Sequence, residues 1–135
     1  MKIGFWVAWL CLLSLSTLTA GARKSPSNPS PSAEYVSALA TANRFLHAWQ
    51  TGDLETGTVL LGDRVRHSQD PEKFEQSFAG TRNCAFEISR GKGTAGRYRF
   101  PVVLLTTTGT HTRRHFSEIV VAPTGKNDWV VDKLP

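Results

Sequence analysis

The sequence predicts an α+β domain in which N-terminal helices pack on a strongly curved antiparallel sheet. Three observations carry that reading. Apolar residues recur at steps of three and four up to about residue 80, runs rich in β-branched and aromatic residues begin at Asn83, and those runs are joined by short glycine-bearing links. Helices first and strands after is the order of an α+β chain with one helix-covered sheet face.

The chain of 135 residues opens with a segment that is not part of this domain. Lys2 is followed by an almost wholly apolar run to Leu18 and by Ala20-Gly21-Ala22, so residues 1–22 read as a cleaved signal peptide. The run is shorter than the roughly 20 residues of a spanning helix. Cys11 lies inside it behind Trp9-Leu10, where a lipidation site would carry small residues. The expectation is export, to the periplasm or beyond the cell, with no transmembrane segment after cleavage; the alternative is an uncleaved anchor, because Trp6 and Trp9 are unusually bulky for this region. Residues 23–32, "RKSPSNPSPS", form a Pro/Ser-rich linker that cannot bury apolar area. Residues 33–135 are the size of one small domain with one core.

The net charge of +5 falls by one with Lys2, leaving a mild basic bias. Outside the cytoplasm its partners would be anionic surfaces or acidic ligands, not nucleic acid. Of two cysteines only Cys84 remains after cleavage, so no internal disulfide staples the domain. Its place before Ala85-Phe86 is that of a small buried residue.

The first helix follows from the stripe Tyr35, Leu39, Ala42, Phe45-Leu46 and Trp49. Ser30 or Ser32 can cap its start, and Gly52 stops it in the left-handed conformation. Asp53 caps a short second helix, Leu54 to Leu61, which Gly62 closes. In "DPEKFEQSFAG" Asp70 caps, Pro71 takes the first helical position and Gly80 ends a third helix bearing Phe74 and Phe78. The stretch "DRVRHSQDP" between them reads as a loop.

Four strands are expected in "NCAFEISR", "RYRFPVVLLTTT", "THTRRHFSEIVVA" and "DWVVDKL", paired as an antiparallel meander. Tyr98, Phe100, Val102 and Leu104 share one face. Alternation slips near His115-Phe116, which suggests a bulge or a strong bend. "GKGTAG" reads as a flexible turn. It lacks the Lys-Ser/Thr ending and the following helix of a phosphate-binding loop.

Phe45, Leu46, Ala48-Trp49 and Gly52-Asp53, with Trp129, Val131 and Asp132 near the end, resemble the nuclear transport factor 2-like superfamily, which includes ketosteroid isomerase and polyketide cyclases. The resemblance covers nearly all of residues 33–135. It implies a cone, with the bent sheet wrapped around the long helix and an apolar pocket at the wide end. Tyr35, Phe45, Trp49, Phe78, Phe100 and Trp129 are the implied lining. It also implies dimerisation through the exposed sheet face in many members. It does not select an activity, because enzymes, carriers and assembly modules share this fold.

Isomerases of this superfamily need a carboxylate base with a tuned pKa in an apolar wall. Glu34, Glu55, Glu72 and Glu75 avoid the apolar helix faces, so Asp132 is the best acid candidate; the resemblance implies His67 near the mouth of the cone and Tyr98 as an oxyanion donor. His111 and His115 in "HTRRH" do not make a metal site. On a strand they stand about 13 Å apart, and the helical zinc motif would need a glutamate that is absent. No metal and no cofactor is expected. Arg97, Arg99, Arg113 and Arg114 would form a positive stripe for an anionic partner if they shared a sheet face.

The functional expectation is an exported, non-catalytic domain that binds an apolar small molecule or a protein partner. A proton-transfer enzyme using the cone pocket and a dimeric assembly module with a basic sheet face are the alternatives.

Overall fold

The computed structural model describes residues 30–80, 83–94, 96–125 and 128–135. The expected signal peptide with Cys11, and all of the linker before Ser30, lie outside the described residues. Among the described residues no helix is long and apolar enough to cross a membrane.

Helix α1, Ala33–Thr51, is the axis of the domain. The Ser32 hydroxyl accepts from the Tyr35 amide at 3.2 Å, and Glu34 lies in the first turn where the helix dipole favours an acid. Gly52 ends the helix at φ 72°. The Gly52 amide bonds the Trp49 carbonyl and the Asp53 amide bonds that of Ala48, which satisfies two carbonyls the helix end would leave open. Asp53 then caps α2, Leu54–Val59, by accepting from the Thr56 amide at 3.0 Å. The chain reverses here, and Gly57 lets α2 lie directly on the Phe78 ring.

A further helix, α3, Asp63–Ser68, occupies the stretch expected to be a loop. It is a single short segment with one buried residue, Val65, so no apolar period announces it. Asp63 in its first turn and Arg66 and His67 in its last complement the helix dipole. Helix α4, Pro71–Ala79, begins at the Asp70 cap as expected and buries Phe74 and Phe78.

Among the described residues the sheet contains five strands: β1 Cys84–Ile88, β2 Lys92–Thr94, β3 Arg97–Thr108, β4 His111–Pro123 and β5 Trp129–Lys133. The order β1-β3-β4-β5 is the expected antiparallel meander. The addition is β2, which pairs with the Arg97–Arg99 end of β3, so the "GKGTAG" turn is partly strand. The bulge lies elsewhere than expected. Pairing of β3 with β4 runs unbroken from Tyr98↔Val121 to Thr108↔His111, and the register shifts between β4 and β5 at Val120/Val121. Alternation fades at His115-Phe116 because β4 has left the core there, and its residues from His111 to Phe116 meet solvent on both faces.

The core lies between α1, α2, α4 and the inner sheet face. Phe100, Leu46, Ile119, Val102, Val121 and Val131 are its largest fully buried side chains. A parallel bridge from Leu61 to Val131 ties the segment after α2 to the last strand.

Candidate functional site

Between α2, α3 and α4 lies a groove of about 290 Å³. Leu54, Leu61, Pro71 and Phe74 form its apolar floor and walls, and Arg66, Gln69 and Glu75 stand at its rim. Arg66 is positioned by the chain reversal itself. Its guanidinium donates to the Thr58 and Leu61 carbonyls at 3.3 and 3.2 Å, closing the end of α2. The floor is assembled from α2, α4 and Leu61 of the segment after α2, because each contributes only one or two large apolar residues and none can bury them alone.

The catalytic candidates are not brought together. His67 is exposed on α3, and its Nδ1–H donates to the Asp63 carbonyl at 2.6 Å. Asp132 is the extra residue at the β4–β5 register shift, since Val131 pairs with Val121 and Lys133 with Val120. The bulge aims its carboxylate between Arg97 at 2.7 Å and Arg64 at 3.0 Å, so it serves as an ion-pair hub. Tyr98 is 5% exposed and packed edge-on against Tyr35 at 5.7 Å.

The implied pocket lining also divides. Phe45, Phe78 and Phe100 are buried core residues that fill the interior of the cone, with Phe45 and Phe78 in edge contact at 6.0 Å. Trp49 is half-buried against this core. Tyr35 borders a small cleft beside Gly91 and Lys92, where its hydroxyl accepts from the Gly91 amide at 3.0 Å. Trp129 borders a separate cleft near Glu34 and Pro123. These six aromatics therefore do not surround one cavity.

Nor do the four arginines form one stripe. Arg97 and Arg99 face outward, and the β3–β4 register puts Arg114 on the same outer face but Arg113, opposite Thr106, on the inner one. Arg97 is spent on Asp132, and Arg99 lies 3.7 Å from Glu118. The anionic-partner patch is thereby reduced to Arg113 and Arg114 on opposite faces of one strand.

Asp53 acts as a cap. Its carboxyl is held below its ordinary value chiefly by the Thr56 amide hydrogen bond and then by the Thr56 side chain. Cys84 is a half-buried free thiol whose carbonyl accepts from Gln50. Among the described residues no group of three or more His, Cys, Asp or Glu side chains is placed to hold a metal ion.

The sequence matches no family model and no curated protein. Similarity appears in solved structures. An NTF2 design superposes with a TM-score of 0.56 at 15% identity, over 70% of this chain and 91% of its own. A protein named as an NTF2-like transpeptidase from Campylobacter jejuni gives 0.51 at 13% identity, over 71% and 97%. The fold is nuclear transport factor 2-like. A third structure of this kind, named an LEH-like epoxide hydrolase of M. tuberculosis, gives 0.50 at 18% identity, over 73% and 84%. These identities establish the shared fold alone.

Within that fold, sequence reasoning overlooked Arg66, Arg64 and the groove. The available signal was "GDRVRHS": an acid at the start, basic residues at the end and an apolar residue between are the marks of a short helix. Arg66 then follows as a residue able to reach back to open carbonyls of the preceding turn.

Proposed function

We propose that this protein is an exported, non-catalytic binding domain that holds a small apolar molecule in the groove between α2, α3 and α4. The observation that carries this reading is the groove itself, with Leu54, Leu61, Pro71 and Phe74 presenting a mostly apolar surface around about 290 Å³. That volume is at the small end of the range of ligand sites. Arg66 at the rim favours a ligand with one polar or anionic end beside its apolar body. His67, Asp132 and Tyr98 are each committed to other contacts, which weighs against the enzyme alternative.

The test is native mass spectrometry of the chain purified from an exporting host, compared with the denatured mass. A co-purifying small molecule that is lost in Leu54→Glu supports the reading. An empty protein, or a ligand retained in Leu54→Glu, sinks it. The denatured mass also reports export: a chain beginning at Arg23 supports cleavage, and one retaining Met1 opposes it.

A second reading, a homodimer through the outer sheet face, is favoured by Phe116, which is 73% exposed and lies opposite Val103 on that face. Sedimentation should then show a dimer that Phe116→Asp dissociates. A wild-type monomer at micromolar concentration removes this reading.

A further inference from the structure

The far half of β4 has a feature that neither the groove nor the outer face uses. Strand β5 pairs only with Val120 to Pro123, so among the described residues the stretch from His111 to Ile119 has no strand neighbour on that side. In an antiparallel ladder alternate residues direct N–H and C=O groups to each side, so this edge presents a row of open donors and acceptors. Every residue from His111 to Phe116 is exposed, and among the described residues no helix covers the edge there.

We propose that this edge accepts an acidic, extended peptide segment of a partner protein as an additional strand. Charge selects the occupant. Arg113 and Arg114 have no ion-pair partner among the described residues, and they stand on opposite sheet faces. A second copy of the edge would set arginines against arginines, so self-pairing is disfavoured. An acidic strand meets a cation on each face in addition to the open backbone groups. On the inner face Arg113 borders an open hollow with Thr106, Thr108 and His111, which gives an acidic side chain room and hydroxyl donors. The nearest acid on the same strand, Glu118, is engaged with Arg99 and Lys133.

The geometry also sets the order of the peptide. In antiparallel addition, adjacent residues of the incoming strand face Arg114 and then Arg113. The residue two places before the one facing Arg114 lies beside Phe116, on the outer face. The preferred order is therefore apolar, any residue, acidic, acidic. This is recognition of a main chain by an edge with side-chain selectivity on alternate faces.

The test uses fluorescence anisotropy of the full chain in a non-ionic detergent with a short labelled peptide centred on Val-Thr-Glu-Glu. Its comparators are a twin with Lys-Lys for Glu-Glu and two versions N-methylated on either alternate set of amides. The acidic peptide should bind and the lysine twin should not. One methylated version should lose binding while the other keeps it, because only one set of amides faces the edge. The double variant Arg113→Glu/Arg114→Glu should weaken binding about tenfold, the effect of two exposed charge pairs. Lys73→Glu, on α4, should leave binding unchanged, and circular dichroism confirms that both variants fold. Three results overturn the proposal: no binding of the acidic peptide, equal binding of both methylated versions, or equal weakening by Lys73→Glu. If a sulfated oligosaccharide competes fully while both methylated peptides still bind, the edge is only a cationic surface and the strand addition is wrong.

Discussion

The two ends of the β3–β4 ladder have the same antiparallel pairing and opposite surroundings. At one end Tyr98 and Phe100 stand opposite Val121 and Ile119, all four buried beneath α1. At the other, Thr106 and Thr108 stand opposite Arg113 and His111 in solvent. The ladder continues without a register break between them, so backbone pairing alone carries the sheet past the core. Stability should concentrate at the covered end, and surface chemistry at the uncovered one.

The largest effect that would sharpen this contrast comes from truncating one aromatic at each end. Phe100 is 0% exposed, and Phe100→Ala should cost about 3–5 kcal/mol in urea unfolding, from lost burial and the cavity left behind. Phe116→Ala at the exposed end should stay within about 0.5 kcal/mol. Similar losses at both positions would mean that the two ends are not energetically distinct.

Glycines test the same contrast by a different route. A Cβ at Gly91 would run into the Phe100 ring and the Arg99 carbonyl, so Gly91→Ala should cost about 1–3 kcal/mol by overpacking. Gly109, at the turn of the exposed end, has φ 60° and open space around its missing Cβ. There the cost is conformational, about 1 kcal/mol for alanine, and asparagine should recover part of it because it tolerates the left-handed region. Asparagine at position 91 should recover nothing. Denaturation midpoints of the four variants settle whether space or backbone angle sets each position.

The covered end is the more legible in the sequence, and the reason is periodicity. Tyr98, Phe100 and Val102 alternate with Arg97, Arg99 and Pro101, a pattern that by itself assigns one buried and one exposed face. The reversal at Gly52-Asp53 is legible for another reason, since both residues satisfy helix-end groups locally. Features fixed by distant partners are not. Strand β2 exists because Lys92–Thr94 lies beside Arg97–Arg99, although its composition is that of a turn. Asp132 meets Arg64 and Arg97 only because of a bulge that no alternation pattern announces. The aromatic lining fails as a set because an aromatic stripe has the same spacing whether it packs a core or walls a cavity. Here Phe45, Phe78 and Phe100 pack the core.

Asp132 offers a smaller test at the border of the covered end. Its side chain is 17% exposed, while Arg97 and Arg64 are 47% and 69% exposed, so much of the attraction is screened. Asp132→Asn should therefore cost only about 1 kcal/mol, and raised salt should narrow the difference. Loss of fold in this variant would show that the hub, not the core, sets the position of β5.

The smallest expected effect lies farthest from the ladder, at the Asp53 cap, and it isolates charge from hydrogen bonding. The folded carboxyl titrates below its ordinary 3.8, chiefly because the Thr56 amide bonds the ionised form. A depressed folded pKa contributes stability above the unfolded value, and that contribution is lost as pH falls through the folded value. Asp53→Asn keeps a capping oxygen and removes the charge, so wild type should melt slightly higher at about pH 6, and its advantage should shrink as pH falls below the ordinary carboxylate value. Asp53→Ala removes the acceptor as well and should melt lower than both throughout. A constant gap between wild type and Asp53→Asn across this range would assign the difference to geometry, leaving the helix dipole and the ionised form without a measurable part in the reversal.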